Sequence, residues 1–191
     1  MTERMLKLKS IVDLVYKLIL LNLIWLIMTM CGGIIFGIIP SSICLAEQIQ
    51  KILTGEESTI KNFLSSYKAK FIGANKKYIL LTLLFVCWII QFLLFFSILS
   101  SLYFITTGIL LIMILTYAST SYKEIPDRNA FKYTVGIMVI NLKFNFYLIA
   151  IGLLIIYATF TIKGLWMFLS ISAFAYFVEK GKKTLYFREV I

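Results

Sequence analysis

The chain has 191 residues, of which 61% are hydrophobic, a formal net charge of +10 and no histidine. A soluble domain of this length would be about 45–50% apolar, so the composition indicates an integral membrane protein and leaves little room for a soluble domain. The absence of histidine excludes imidazole bases and histidine metal ligands. We expect an all-α polytopic membrane helical bundle of about six membrane helices, which forms a single membrane domain over residues 1–191.

The first predicted span runs from Leu14 to Gly33. Asn22 lies in its middle and needs a hydrogen-bond partner inside the protein, so it is predicted to be a polar helix-packing residue. Gly32 and Gly33 are predicted to form a hairpin break, because glycine tolerates the positive φ that a helix exit often requires.

A second helix is predicted from about Ile34 or Ile38 to Leu53, with Gly37 and Pro40 as further elements of the break. Proline is least costly in the first turn of a helix, which is where Pro40 is expected. Only 13 residues, Ile34 to Ala46, are plainly apolar. Because this is short for a full span, a re-entrant helix and a complete crossing both remain open.

Four further apolar segments complete the predicted bundle, and two amphipathic segments are expected to form cytoplasmic helices. The spans are Tyr78 to Ser97, Leu102 to Tyr122, Phe144 to Ile162 and Gly164 to Val178, and the amphipathic segments are Ile60 to Lys77 and Pro126 to Lys143. Each amphipathic segment ends in Asn-x-Lys and leads into an apolar hairpin. This pattern predicts a weak internal repeat with units 60–122 and 126–180.

The basic residues predict the orientation of this bundle. With six spans, Lys17 lies inside the first span, only Lys163 lies on the outer side, and all other lysines and arginines fall on one side. The positive-inside rule then places both termini in the cytoplasm. The net charge thus reflects topology, and no nucleic-acid partner is expected.

Catalysis needs a nucleophile with a base, paired carboxylates or metal ligands, and none of these patterns occurs. We therefore expect no enzyme, no catalytic residue, no metal site and no cofactor. The most informative ionisable residue is Glu47, which shares one polar side of the second helix with Ser41 and Gln48. These three residues are candidates for a ligand or proton site. In the alternative interpretation the helix leaves the membrane early and Glu47 pairs with Lys51 at i+4.

An apolar stripe with lysines beside it runs along the segment from Ile60 to Lys77. Its candidate partner-docking residues are Phe63, Tyr67, Lys68 and Phe71. This stripe is expected either to dock on a partner subunit or to lie on anionic membrane lipid.

Several short motifs resemble the YesL family, also called DUF624, which comprises small bacterial membrane proteins. They occur in the family's order and spacing over roughly residues 5–80: "NLIWL" at 22–26, "GIIPSS" at 37–42, Ala46, "LTGEE" at 53–57, Phe63 and "YKAKF" at 67–71. The chain departs from the family at Cys31-Gly32-Gly33, where many relatives carry a proline, so the outer turn is expected to differ in shape.

The resemblance implies a role in carbohydrate uptake, since family members tend to be encoded beside carbohydrate ABC importers and glycan-degrading enzymes, mostly in Gram-positive bacteria. It suggests an accessory or assembly subunit in the plasma membrane, with the permease subunit of a sugar ABC importer as its partner. It transfers no catalytic residue. The alternative is a self-contained small transporter or substrate-binding membrane subunit that uses the polar helix side at Glu47.

Overall fold

The computed structural model describes residues 3–94, 98–162 and 168–185, and this part of the chain contains helices and short connections only. The helices are α1 (Glu3–Cys31), α2 (Ile35–Thr54), α3 (Ile60–Lys77), α4 (Ile79–Leu94), α5 (Ile98–Thr120), α6 (Ala130–Ile140), α7 (Leu142–Thr161) and α8 (Ser170–Leu185). The predicted all-α class is confirmed. The turn predicted around Lys163 and Gly164 lies outside the described residues.

Fewer helices qualify as membrane spans than the six predicted. Three described helices are long and apolar enough, over Met5–Cys31, Tyr103–Thr120 and Leu142–Thr161, and α3 with α4 would form a fourth span with an 80° bend. Within the described residues α4 and α8 have 16 residues each, which is less than the roughly 20 that a span requires. Helix α2 has 20 residues, but its polar side chains lower its mean hydropathy, so it is not among the candidate spans. The chain is a helical membrane protein, and its described residues contain three or four candidate spans.

Helix α2 lies at the centre of the bundle and is buried on more than one side. Its Ile39 and Ile43 belong to an apolar cluster that includes residues of α4 to α8. Its Leu45 and Ile49 belong to a second cluster with residues of α1 and α3. Helices α1, α3, α4, α5 and α8 each pack on α2, while α6 packs on α5 and α7 packs on α8.

The turn between α1 and α2 brings two backbones into contact. Gly33 has a φ of +73° and Ile34 a φ of +60°, in the left-handed region that glycine enters without strain. A Cβ added to Gly37 would lie 2.2 Å from the carbonyl oxygen of Thr29. Only glycine therefore allows α2 to approach α1 this closely.

Pro40 lies inside α2 and not in its first turn, because the helix begins at Ile35 and continues through the proline. Proline lacks the N–H that would bond to the carbonyl four residues earlier, which belongs to Phe36. The side-chain amide of Asn75 on α3 donates to this carbonyl at 3.0 Å. The expected placement of Pro40 was wrong because a residue distant in sequence supplies the missing donor.

The contact at Gly37 predicts that Gly37→Ala destabilises the protein. The added methyl group would overlap Thr29 and separate α1 from α2, so we expect the free energy of unfolding to fall by about 1–3 kcal/mol. Unfolding in mixed detergent micelles with increasing dodecyl sulfate measures this change. Gly73→Ala is the matched control, since its Cβ would meet only the Tyr122 hydroxyl at 3.7 Å. Equal stability of the two variants would contradict the packing argument.

The hydrogen bond from Asn75 predicts an energetic coupling with Pro40. Asn75→Ala removes the donor and should lower the free energy of unfolding by about 1–3 kcal/mol. In a Pro40→Ala background the new backbone N–H can bond to Phe36, so the same change should cost less. A double-mutant cycle measured by the same unfolding assay isolates the coupling. An equal cost of Asn75→Ala in both backgrounds would refute it.

Candidate functional site

Glu47 on α2 forms ion pairs with lysines from two other parts of the chain. Its carboxylate contacts the Nζ of Lys70 on α3, and the Nζ of Lys123, after α5, lies 3.1 Å away. The carboxylate of Glu47 is mostly buried, whereas the side chain of Lys123 is 74% exposed. Among the described residues the partners are thus Lys70 and Lys123, not Lys51. Glu47 links α2, α3 and the segment that follows α5.

Lysines from other helices cap the carboxyl end of α5. The Nζ of Lys77 on α3 donates to the carbonyl oxygens of Tyr122 at 3.0 Å and Ile125 at 2.6 Å. The Nζ of Lys182 on α8 donates to the carbonyl oxygen of Thr120 at 2.6 Å. Helix α5 has no basic residue in its own last turn. The two ammonium groups therefore supply the positive charge that favours a helix carboxyl end.

Both of these lysines are buried and paired with acidic residues of the same segment. Their side chains are only 6% and 5% exposed, with Asp127 at 3.0 Å from Lys77 and Glu124 at 3.5 Å from Lys182. Buried ammonium groups require such partners. Together with Lys70 they form what we call the lysine clasp (Lys70, Lys77 and Lys182), which joins α3 and α8 to α2 and to residues 120–127.

From the sequence, these lysines predict only on which side of the membrane their segments lie. Lys77 lies 45 residues from Tyr122, and Lys182 lies 62 residues from Thr120. No local pattern indicates such distant partners. The sequence does indicate that a donor is needed, because the last turn of α5 contains no basic residue. The free carbonyl groups at this helix end require donors from another part of the protein.

Glu179 on α8 is a second buried carboxylate at this end of the bundle. Its side chain accepts a hydrogen bond at 3.0 Å from the amide of Gln50 on α2, and its other oxygen has no hydrogen-bond partner among the described residues. Burial raises the pKa of Glu179 to about 7, while the Gln50 amide and the charge of Lys182 oppose this shift. Glu179 therefore exchanges its proton near neutral pH.

The three predicted ligand residues do not meet in one cavity. Ser41 is fully buried, lies 2.7 Å from the hydroxyl of Thr29 and donates to the carbonyl oxygen of Gly37 at 2.6 Å. The Gln48 amide oxygen accepts from the hydroxyl of Ser58 at 3.1 Å. Of the three, only Glu47 lines the polar cavity of about 320 Å³ next to the lysine clasp. Ser41 thus joins α2 to α1, and Gln48 joins α2 to the start of the α3 region.

Asn22 on α1 is fully buried where α1 packs against α8. Its amide oxygen accepts hydrogen bonds from the backbone N–H groups of Ile171 at 3.1 Å and Ser172 at 3.0 Å. These N–H groups belong to the first turn of α8, where no intrahelical acceptor exists. Asn22 therefore caps one helix from the middle of another.

The predicted docking residues of α3 point in two directions. Phe63 is fully buried and Tyr67 is nearly so, and the Tyr67 hydroxyl donates to the carbonyl oxygen of Met28 at 2.9 Å. Phe71 is partly buried and Lys68 is exposed. The expectation that Phe63 and Tyr67 face a partner was wrong, since they hold α3 against α1 and α2.

The opposite face of α3 is exposed along its whole length. We call it the outer face of α3, and its members are Lys61, Leu64, Lys68, Ile72 and Lys76. Their spacing places them on one side of the helix. Ile72 is 79% exposed. This face combines three positive charges with two apolar side chains.

Comparison with known proteins finds a match to a family model over part of the chain. Residues 18–93 match the family described as "Protein of unknown function, DUF624", which confirms the resemblance found in the sequence. The uncharacterized protein YesV of Bacillus subtilis (strain 168) is 35% identical over 65 residues, which are 33% of this chain and 31% of that protein. The chain thus aligns with about a third of that relative's length. No solved structure matches.

The buried carboxylate of Glu179 predicts a dependence of stability on pH. The carboxyl group of Glu179 binds a proton more tightly in the folded protein than in the unfolded chain. The stabilisation that comes from this tighter proton binding is therefore complete below about pH 4.5, and it is lost as the pH rises through about 7. We expect the free energy of unfolding to fall on the order of 3 kcal/mol over this interval. Dodecyl sulfate titrations in mixed micelles at each pH measure it.

Glu179→Gln should reduce this fall, because the substituted side chain does not titrate. Glu57→Gln is the control, since Glu57 is an exposed glutamate on the connection before α3. It should retain the dependence of the unsubstituted protein. A pH dependence that is the same in all three proteins would refute the assignment to Glu179.

Proposed function

We propose that this protein is an accessory or assembly membrane subunit of a carbohydrate ABC importer in a bacterial plasma membrane. The resemblance to DUF624 supports this role, because members of that family tend to be encoded beside carbohydrate ABC importers. In this proposal the chain crosses the membrane several times with both termini in the cytoplasm, an arrangement that places the lysine-rich segments on one side when all six segments predicted from the sequence cross. In this proposal the partner is the permease subunit, and the chain carries no substrate itself.

The outer face of α3 is the observation that carries the proposal. The inner face of the same helix is fixed to α1 and α2 through Phe63, Tyr67 and Asn75. A helix held in this way presents its outer side chains in one arrangement, so little conformational entropy is lost when a partner binds. The structure thus supports a preorganised, basic contact surface.

The chemistry of this face fits an acidic surface with apolar patches on the permease. Exposed ion pairs contribute only about 0–1 kcal/mol each, so the lysines would chiefly select and orient the partner. Leu64 and Ile72 would supply the apolar contact area between them. The aromatic residues that the sequence suggested for this task stabilise the fold instead.

The transporter alternative gains no support from the arrangement of the polar residues. A substrate site would need Ser41, Glu47 and Gln48 to face a shared space. Ser41 instead contacts α1, Gln48 contacts Ser58, and Glu47 is held by two lysines. These contacts favour a protein that acts through its surface.

A pull-down from native membranes of the source organism in mild detergent tests the proposal. We expect a sugar permease in stoichiometric amount with the unsubstituted protein. The triple variant Lys61→Glu, Lys68→Glu, Ile72→Ser should lose most of it, because two attractive contacts become repulsive and the apolar contact is removed. Quantitative mass spectrometry of the eluate measures the ratio of the two proteins.

The matched control is the double variant Lys132→Glu, Val139→Ser on the exposed side of α6. It makes the same kinds of change elsewhere on the protein surface and should leave the permease ratio unchanged. Absence of a permease from the unsubstituted sample, or full retention by the α3 variant, would contradict the proposal. Melting curves of both variants verify that the fold is intact.

A further inference from the structure

A largely apolar cavity of about 420 Å³ lies among the helices on the side of α2 that faces α5, α7 and α8. Large apolar side chains from several helices form most of its wall: Trp25, Leu45, Phe85, Leu115, Ile155 and Phe174. It is partly open to the surface of the protein. The cavity shares no residue with the polar cavity at Glu47.

The few hydroxyl groups in the wall are engaged within the protein. Thr116 donates to the carbonyl oxygen of Ile112 at 2.8 Å, and Thr120 donates to that of Thr116 at 2.9 Å. Ser42 accepts a hydrogen bond from the indole of Trp25 at 3.2 Å. An ordered water needs two to four polar partners, and a polar ligand needs placed donors and acceptors. The wall instead suits an apolar ligand.

The cavity is large enough to hold part of an apolar chain. Apolar cavities near 150 Å³ stay dry and bind small apolar molecules, and this one has nearly three times that volume. Small residues create the space, among them Gly152 on α7, whose added Cβ would meet only Phe174 at 3.9 Å.

We propose that this cavity binds one acyl chain of a membrane lipid. A helical membrane protein is surrounded by acyl chains at high concentration, and a linear saturated or monounsaturated chain matches the chemistry of the wall. The bound chain fills the space between α7 and the central helix α2. This site is independent of the importer role, because it uses neither the outer face of α3 nor the lysine clasp.

Quenching of Trp25 by brominated lipid tests the site directly. The background protein carries Trp88→Phe and Trp166→Phe, which leaves Trp25 in the cavity wall as the remaining tryptophan. The protein is reconstituted into phosphatidylcholine vesicles in which dibrominated stearoyl chains replace a graded fraction of the oleoyl chains. We expect strong quenching of Trp25. Gly152→Leu, which fills the cavity, should lose most of it.

Gly136→Leu is the matched control, because a Cβ at Gly136 on α6 meets nothing within 4 Å and the residue lies outside the cavity. It should retain the quenching. Equal quenching in Gly152→Leu and Gly136→Leu would mean that only surrounding bilayer lipid reaches Trp25, and this would overturn the proposal. Weak quenching in the background protein would overturn it as well.

A second variant and a second measurement test the proposal even if Gly152→Leu does not fold. Ile156→Phe enlarges a side chain that lines the cavity and is itself 54% exposed, so it adds volume at a tolerant position. Native mass spectrometry of the detergent-purified proteins should show one phospholipid retained on the unsubstituted chain and on Gly136→Leu, and a marked loss in Ile156→Phe. An unsubstituted chain that carries no lipid would overturn the proposal.

Discussion

The close approach of α1 and α2 at Gly37 is the contact on which the rest of the bundle depends. With no Cβ at Gly37, the backbone of α2 reaches the carbonyl of Thr29, and the hydroxyls of Thr29 and Ser41 meet just beyond it. Small residues of this kind drive helix association in membranes, where lipid is as apolar as the protein interior. Once α2 is fixed against α1, its other sides position α3, α4, α5 and α8.

Hydrogen-bond satisfaction explains much of the remaining architecture. In an apolar environment every backbone N–H and C=O requires a protein partner. Asn75 supplies the donor that Pro40 lacks, Asn22 accepts from the first turn of α8, and lysines of α3 and α8 close the end of α5. Each of these side chains satisfies a helix other than its own. The polar residues thus act as connections between helices, and α3 takes part in two of the three.

Helix α3 has one face packed into the protein and one exposed face. The inner face holds aromatic residues and Asn75 against α1 and α2, while the outer face keeps three lysines and two apolar residues in solvent or at the lipid surface. The buried carboxylate of Glu179, which contacts α2 through Gln50, adds a proton-dependent contact at the same end.

Local pattern in the sequence was sufficient to predict the helical membrane class, most helix positions and the family resemblance. Hydropathy and the conformational preferences of glycine act over a few residues, so they can be read without a fold. The number of qualifying spans, the inward orientation of Phe63 and Tyr67, the clasp and the apolar cavity required the tertiary structure. An amphipathic stripe has the same pattern whether it meets its own chain, lipid or a partner. The decisive pairs are also distant, as with Asn22 and Ser172, which are 150 residues apart.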